Sequence, residues 1–585
     1  MKFLGNVVAT VIGIFVFIML FFFGIILIGT IFGGEDTVSV KEDSVIELDL
    51  KKIQNDYAGK YKDPWVTAFS DAKGVGLTDV INAINAAETD DKIKGISILN
   101  DQSSLGLAQY KELRNALEKF KKSGKFVWAY ANTYSQKEYY LNSVANTIYL
   151  NPAGDLDFKG LSSEIMFFKD FQDKSGIHME VIRHGKYKSA VEPFLENKMS
   201  DANREQITSL LNSIWATVST DISKSRNIPV SKVNEIANGL LARTPEMAKA
   251  QHLVDIVAYE DVYHNAIKKA LKVDEDEDYN KISIFDYTQN NITTALANSS
   301  TDQIAIIYAQ GEIAGGEGDV TVIGEGAMRR SLQEARKDEN VKAIVLRIDS
   351  PGGSALTSDL IWREIEITKK VKPVVVSMGN YAASGGYYIA CNANKIFAEN
   401  NTITGSIGVF GILPNFTPLA NKLGINTEQV KTHENSANYS PFVPVDEKFK
   451  AFTLESVENI YKTFVTHVAE GRKMTFAQVD SIAQGRVWSG SEAVKIGLVD
   501  KIGGLNDAIA EAAKIARIKS YSTQNYPEYE KSFNELFSSL PFAKSKEAFI
   551  KEEIGEENYL IIEQVKRLQK QKGVQAMLPY GINIK

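Results

Sequence analysis

Cysteine is almost absent from this chain of 585 residues, in which Cys391 is the one cysteine. A disulfide within the chain and a cage of several cysteines around a metal are therefore excluded. The six histidines are scattered and show no spacing typical of metal ligands, such as His-Glu-x-x-His. We expect neither a metal nor another cofactor.

The chain also lacks an excess of positive charge. It has 66 Lys and Arg against 73 Asp and Glu, which gives a formal net charge of −7. Proteins that bind nucleic acid usually present a basic surface, so we expect no nucleic-acid partner. The hydrophobic content of 44% excludes wholesale disorder.

A long uncharged segment lies at the N-terminus, between Lys2 and Glu35. As a helix its apolar core, residues 7–32, would measure about 39 Å, enough to cross a hydrocarbon layer of about 30 Å. The core is too long for a cleavable signal peptide. Because Lys2 precedes it and acidic residues follow, the positive-inside rule places the rest of the chain outside the cytoplasm. We therefore expect an uncleaved transmembrane anchor over residues 1–35.

An internal repeat covers much of the remaining chain. Residues 93–194 match residues 341–442 at a constant offset of 248 without a gap, and identical pairs occur along the whole stretch. This register predicts a duplicated domain. We expect an N-terminal copy over 36–289, a polar linker over 290–302, a C-terminal copy over 303–520 and a helical extension over 521–585.

Strands and helices alternate in the C-terminal copy. The apolar, β-branched run 341–348 predicts a buried strand, and a helix-period segment follows at 355–370. A second strand over 373–378 leads into another glycine-rich turn and helix. This alternation predicts parallel βαβ units and an α/β fold.

Ser384 stands in a glycine-rich turn between a predicted strand and a helix. Such a turn exposes a side chain beside the backbone N–H groups of a helix start. The turn at Gly352 and Gly353 offers further N–H groups, and two donors aimed at one point can form an oxyanion hole. The same residues also suit plain tight turns with Ser384 as an N-cap, so the local pattern leaves both interpretations open.

A nucleophilic serine needs a base. His433 and His467 lie in polar or helical surroundings and are typical of surface residues. Lys188 follows Tyr187 and precedes a small, apolar run, and burial of a lysine lowers its pKa towards neutrality. A single lysine is more often a solvated surface charge, so this pattern alone does not identify the base.

Three segments together resemble the long form of signal peptide peptidase A, a bacterial family also called protease IV. They are KYKSAVEPF at 186–194, DSPGGS at 349–354 and SMGNYAASGGYY at 377–388; the runs at 404–409 and 497–500 fit too. The likeness extends from the predicted anchor to at least Gly504. It implies a Clp-protease/crotonase-like α/β fold, a serine endopeptidase of the bacterial inner membrane with its catalytic part in the periplasm, and a homotetramer.

The resemblance also implies a role for individual residues. Ser384 would be the nucleophile, Lys188 the general base, and the N–H groups of Gly353 and Gly385 the oxyanion donors, while Ser406 would orient the lysine ammonium. The implied substrates are extended, largely apolar peptides, notably the remnants of cleaved signal peptides.

The 248-residue offset shows complementary losses in the two copies. It places Gln136 opposite Ser384, and Ser436 opposite Lys188. We therefore expect one composite site in each chain, with the base from one copy and the nucleophile from the other. Two alternatives remain: an inactive membrane-anchored scaffold of the same fold, and an acyl-CoA hydratase or isomerase that holds a thioester enolate with the paired N–H groups.

Overall fold

The computed structural model describes residues 10, 12–17, 19, 20, 24, 39–51, 53–61, 75–99, 103–297, 300–436, 439–529 and 574–578. Its strands are β1 (Ser44–Leu48), β2 (Lys60–Tyr61), β3 (Ile93–Leu99), β4 (Phe126–Ala131), β5 (Thr147–Leu150), β6 (His178–Arg183), β7 (Ile256–Val257), β8 (Lys281–Ser283), β9 (Gln303–Gln310), β10 (Glu312–Ala314), β11 (Val322–Gly324), β12 (Val341–Ser350), β13 (Gly352–Ser354), β14 (Val374–Ala383), β15 (Lys395–Ala398), β16 (Ile403–Gly405), β17 (Phe410–Asn415), β18 (Val487–Ser489), β19 (Lys501–Ile502), β20 (Ser522–Tyr526), β21 (Glu528–Tyr529) and β22 (Gln575–Met577).

The helices are α1 (Leu77–Ala87), α2 (Leu107–Lys122), α3 (Gln136–Asn142), α4 (Lys169–Ser175), α5 (Glu192–Leu195), α6 (Asp201–Arg226), α7 (Val230–Gly239), α8 (Pro245–Ala250), α9 (Glu260–Leu271), α10 (Ile284–Ala297), α11 (Glu325–Lys337), α12 (Ala355–Lys369), α13 (Gly385–Ala390), α14 (Thr417–Lys422), α15 (Glu447–Arg472), α16 (Phe476–Ile482), α17 (Gly490–Lys495) and α18 (Leu505–Ala516).

Each copy is built around a parallel sheet. In the N-terminal copy the strand order is β7-β5-β4-β3-β1-β8. In the C-terminal copy the parallel strands run β19-β15-β14-β12-β9-β20, an order that repeats the first one strand for strand. Strands β4 and β14 begin 248 residues apart, as do β5 and β15. The predicted α/β class with parallel βαβ units is confirmed.

The central strands are apolar because helices cover both faces of a parallel sheet. Strand β12 is buried along its length except at Lys342 and, partly, at Asp349. Helices α11 and α12 pack on one face of this sheet and share an apolar cluster with it. Helix α18 packs on the other face, and its buried residues belong to a second apolar cluster. The carboxyl ends of β12 and β14 are thereby fixed side by side, and both lead into the candidate site.

A third sheet joins the two copies. Its order is β11-β10-β13-β22-β17-β6, and β6 comes from the N-terminal copy. Strands β6 and β17 pair antiparallel over six residue pairs, from Arg183 with Phe410 to His178 with Asn415. Lys188 follows β6 closely, in residues 184–188, which we call the lysine loop. The pairing of β6 with β17 therefore holds the lysine loop against the C-terminal copy.

The described parts of the two segments that flank the C-terminal copy differ from the sequence prediction. Helix α10 extends over most of the predicted linker, residues 290–302. The described residues of the extension predicted as helical form strands β20, β21 and β22 instead, each of which pairs with a strand elsewhere in the fold. These pairings compensate for the weak apolar pattern of the segments, which offers little signal on its own.

The predicted anchor lies mostly outside the described residues, since only positions 10, 12–17, 19, 20 and 24 of it are described. Among the described residues, no helix combines the length and the apolar character that crossing a membrane requires. A crossing helix needs about 20 consecutive apolar residues. This finding corrects the expectation of a single-pass inner-membrane protein with a periplasmic catalytic part.

Candidate active site

Ser384 connects the end of β14 to the start of α13 and is fully buried. Its backbone has φ 55° and ψ −112°, a conformation that costs a non-glycine residue about 1–3 kcal/mol. The Ser384 N–H donates to the carbonyl of Gly405 at 2.8 Å, and Oγ donates to the carbonyl of Gly408 at 3.3 Å. The sharp turn therefore places the hydroxyl, at the start of α13, against the carbonyl of Gly408.

Lys188 approaches this hydroxyl from the other copy. The side chain is fully buried, and its Nζ lies 2.8 Å from Ser384 Oγ. The amine also donates to two oxygens of Ser406, to Oγ at 3.1 Å and to the backbone carbonyl at 3.2 Å. Nζ lies 5.7 Å from the centre of the Phe410 ring. The residues that the sequence singles out as nucleophile, base and lysine partner are thus in direct contact.

Burial lowers the pKa of Lys188 well below its usual value of 10.5, because the charged ammonium is desolvated. Among the described residues, no charged neighbour contributes to this shift, and burial is its cause. A neutral amine has two N–H donors and one lone pair. The two oxygens of Ser406 accept the donors, and the lone pair can take the proton of Ser384 once the hydroxyl turns from the carbonyl of Gly408 to Nζ.

The turn at β13 supplies the neighbouring backbone donors. Gly352 has φ +102°, which glycine adopts without strain, and a Cβ built there would lie 2.8 Å from the nitrogen of Gly385. Gly353 is the next residue and pairs with Ile313 of β10. The two predicted oxyanion donors, Gly353 and Gly385, therefore belong to segments that touch each other beside Ser384.

The corresponding position in the N-terminal copy is closed by Gln136. Its Oε1 accepts the N–H groups of Lys159 and Gly160 at 2.9 and 2.7 Å, and its Nε2 donates to the carbonyl of Gly160 at 2.8 Å. At the 248-residue offset, Gly160 corresponds to Gly408, the residue that accepts from Ser384. The exposed Ser436, opposite Lys188, makes a local turn with His433. The two copies thus form one composite arrangement.

Three histidines that are alternative candidates for the base, or lie near the lysine, make contacts away from Ser384. His184 packs against Tyr461 with ring centres 4.1 Å apart and the planes tilted by 33°. His467 contacts Asp359 at 3.3 Å and stacks on Trp362. His433 is exposed and contacts Thr432. None of these three rings occupies the position that Lys188 holds beside Ser384.

Sequence reasoning missed three residues that shape this site. The carbonyl of Gly408 accepts from Ser384, the Phe410 ring shields the amine, and Gly485 packs on the backbone of Lys188. The identity of Gly160 and Gly408 across the repeat could have indicated the first. Gly485 lies outside the matched stretch, and its role depends on a contact between loops that no local pattern reveals.

Known proteins match the chain over most of its length. A sequence profile of peptidase family S49 matches residues 119–274 and 366–519. Protease 4 of Haemophilus influenzae is 36% identical over 83% of this chain and 81% of its own length. The chloroplastic serine protease SPPA of Arabidopsis thaliana is 33% identical over 82% of this chain and 70% of its own. A putative signal peptide peptidase SppA of Enterococcus faecium is 36% identical over 33% of this chain and 57% of its own.

The fold, the serine at a helix start and these relatives define a serine peptidase. The two profile matches stand at the spacing of the internal repeat to within a few residues, which confirms the predicted duplication. The chain belongs to peptidase family S49.

Proposed function

We propose that the chain hydrolyses peptide bonds with a dyad of Ser384 and Lys188. The observation that carries this proposal is the 2.8 Å contact between Ser384 Oγ and a fully buried lysine amine with a lowered pKa. Both properties are what a lysine needs in order to act as a general base near neutral pH.

Lys188 takes the proton of Ser384 as Oγ attacks the carbonyl carbon of the substrate. The N–H groups of Gly353 and Gly385 hold the negative charge that develops on the carbonyl oxygen. The protonated lysine then gives its proton to the leaving amine, and the C–N bond breaks. Lys188 next removes a proton from water, whose oxygen attacks the carbonyl carbon of the acyl-enzyme. The ester C–O bond then breaks, and Lys188 returns the proton to Ser384 Oγ. Ser406 keeps the amine oriented through both stages.

The substrates we propose are extended, largely apolar peptides, with signal-peptide remnants as a natural class. This class is supported by the name of the Enterococcus relative, a signal peptide peptidase, and by the apolar side chains around the site, including Val191 and Phe410. The two alternative interpretations are an inactive scaffold and an acyl-CoA hydratase or isomerase. Neither of them requires a desolvated lysine in contact with the serine, so the contact favours the peptidase.

A serine-directed fluorophosphonate probe tests the proposal. We expect one labelled residue, Ser384, and loss of both labelling and peptide hydrolysis in Ser384→Ala, whose fold should survive removal of one hydroxyl. Ser436→Ala, an exposed serine at the position opposite Lys188, is the control and should keep both. Labelling elsewhere, or hydrolysis by Ser384→Ala near the wild-type rate, would refute the dyad.

We also propose that the functional unit is a homo-oligomer. The resemblance to the family suggests that this oligomer is a tetramer. Large apolar side chains are exposed around α14 and the start of α15, among them Leu423, Ile425 and Phe452. Exposed apolar groups concentrated in one region are typical of an interaction surface. Light scattering should give a multiple of the chain mass, and Leu423→Asp with Ile425→Asp should reduce it, whereas Val230→Asp, an exposed residue in another helix, should not.

A further inference from the structure

A buried glutamine of α6, Gln206, binds the chain on both sides of Lys188. Its side chain is almost fully buried. Nε2 donates to the backbone carbonyl of Tyr187 at 3.1 Å and to Oγ of Ser189 at 2.7 Å. Tyr187 and Ser189 stand directly before and after Lys188 in the chain. One amide group therefore holds the proposed base from both of its neighbours.

The oxygen of the same amide reaches the C-terminal copy. Gln206 Oε1 accepts the backbone N–H of Val487, the first residue of β18, at 3.3 Å. The residue before Val487 is Arg486, whose carbonyl accepts the N–H of Ser406 at 2.7 Å. Ser406 supplies the two oxygens to which the lysine amine donates. Gln206 therefore links the lysine loop to the segment that holds the partner of the amine.

The orientation of the Gln206 amide is fixed by its surroundings. Nε2 also donates to Oδ1 of Asn203, one turn earlier in α6, at 3.1 Å. The Asn203 amide in turn donates to the carboxylate of Glu192, which also accepts the N–H of Ser200, the N-cap of α6, at 2.9 Å. Nε2 thus faces three oxygens while Oε1 faces an N–H, and a flipped amide would set like groups against each other.

The C-terminal copy lacks this amide. Helix α15 has the same length as α6, 26 residues, and begins 246 residues after it. At that spacing Gln206 corresponds to Phe452, which is exposed. The C-terminal copy also lacks the base, since Ser436 stands opposite Lys188. The amide is present in the copy that has the lysine and absent from the copy that does not, which is the pattern of a group that serves the lysine rather than the fold.

We propose that Gln206 is a positioning residue for the dyad, which fixes the lysine loop so that Nζ of Lys188 stays between Ser406 and Ser384. This inference rests on the proposed function of Lys188 as the base. A base must lie within hydrogen-bond reach of the proton that it takes, and a displacement of about 1 Å can cost about a hundredfold in rate. The same anchor keeps water away from the amine, and exclusion of water maintains the lowered pKa of Lys188.

Gln206→Met tests the proposal, because methionine keeps the length of the side chain but has no amide. We expect kcat to fall by about ten- to a hundredfold, since the amine is displaced, while KM changes by less than about threefold. A loosened loop also admits water to the amine. The pKa of Lys188 should then rise towards 10.5, and the rising limb of the pH profile should move to higher pH by about one unit.

Gln136→Met is the matched control. Gln136 is also buried in the N-terminal copy, and its amide makes three hydrogen bonds with the backbone of Lys159 and Gly160. The control loses a similar set of buried hydrogen bonds without touching the lysine loop, so kcat and the pH profile should stay unchanged. Ser189→Ala, which removes one of the oxygens that Gln206 holds, is a milder variant that should shift the profile in the same direction by a smaller amount.

The route through Ser406 is tested by combining Gln206→Met with Ser406→Ala. Residues that act through one contact show effects that do not add in free energy. We therefore expect the double variant to lose less kcat than the product of the two separate reductions. Reductions that multiply would show that Gln206 does not act on the contact between the amine and Ser406, and would overturn the positioning role.

Hydrogen exchange at the amides of residues 187–189 gives a measurement that does not depend on hydrolysis. In chains that also carry Ser384→Ala, Gln206→Met should accelerate this exchange by at least about tenfold, and Gln136→Met should not. If a fluorophosphonate labels Ser384 but Gln206→Met keeps the wild-type kcat and pH profile, the positioning role is refuted and the dyad stands. If Ser384 is not labelled in any chain, the dyad fails, while faster exchange would still show that Gln206 holds the lysine loop.

Discussion

Arg347 of the C-terminal copy donates from Nε to the carboxylate of Asp56 in the N-terminal copy at 2.6 Å, and both side chains are almost fully buried. A second nitrogen of the same guanidinium lies 2.6 Å from Glu112. Burial raises the pKa of the Glu112 carboxyl, while the charge of Arg347 opposes that rise. This cluster ties the copy that contains Ser384 to the copy that contains Lys188.

Arg347→Met should destabilise the protein by about 3–5 kcal/mol, because two buried carboxylates lose their counter-charge. Lys232→Met is the matched control. It removes a cation from an exposed pair with Glu235, and such pairs contribute about 0.2–1 kcal/mol. Denaturant unfolding measures both changes. Equal, small effects of the two substitutions would show that the buried cluster is not needed to hold the copies together.

Lys188→Met should reduce kcat/KM by at least about a hundredfold, since general-base catalysis contributes about 10²- to 10⁴-fold. In the wild type, hydrolysis should rise with pH through the lowered pKa of Lys188 and level off below 10.5, because only the neutral amine can accept the proton of Ser384. His184→Ala should keep the wild-type activity and profile. A profile that is flat from acid to alkaline conditions would contradict a lysine base.

The same pKa predicts a trend in stability. Between the lowered pKa of the folded protein and 10.5, the unfolded chain binds a proton at Lys188 that the folded chain does not. The contribution of this group to the free energy of unfolding therefore increases with pH in that interval. Lys188→Met should lose that increase, so the stability difference between the two proteins should change steadily with pH.

Gly485→Ala should impair catalysis by displacing the lysine loop. A Cβ at this position would stand 2.6 Å from the Cα, the Cβ and the backbone nitrogen of Lys188, which leaves no room for a methyl group. Gly124→Ala controls for the backbone, because Gly124 has a similar φ, +88° against +84°, with open space around the built Cβ. Each substitution carries a backbone cost of about 1–2 kcal/mol.

We expect kcat to fall by at least about tenfold in Gly485→Ala and to stay unchanged in Gly124→Ala, since a displacement of about 1 Å at a catalytic group can cost about a hundredfold. Steady-state kinetics and the pH profile measure this. The lysine loop would not require glycine here if both variants kept the wild-type kcat.

Neither copy should hydrolyse peptides alone. Residues 303–585 contain Ser384 but have Ser436 at the position of the base, and residues 36–289 contain Lys188 but have Gln136 at the position of the nucleophile. Mixing the two fragments should restore hydrolysis to the extent that β6 and β17 pair again. Hydrolysis by residues 303–585 alone, at a rate close to that of the full chain, would place the base within that copy.

The sequence predicts the α/β class because the strands are short apolar runs that alternate with helices, and the duplication because one register holds over about a hundred residues. Through the motif resemblance it also predicts catalytic roles for Ser384 and Lys188 and an orienting role for Ser406. The offset shows that each copy has lost what the other keeps. It does not show that the two residues meet, since that contact depends on the antiparallel pairing of β6 with β17.

Strand β22 and the Arg347 cluster could not be predicted in this way. Three residues are too few to show strand periodicity, and β22 is extended because two existing strands offer it their backbone groups. Asp56 reaches Arg347 from 291 positions away, and neither residue belongs to a local pattern that indicates the other. Such features arise from tertiary contacts.

The proposed division of the dyad between the two copies implies an order of events during synthesis. Lys188 leaves the ribosome before Ser384, and domains generally fold in the order in which they are made. The first copy can therefore complete its sheet while it carries a base with nothing to deprotonate. On this proposal, proteolytic activity arises when the second copy has folded and docked, so an unfinished chain would not digest itself or its neighbours.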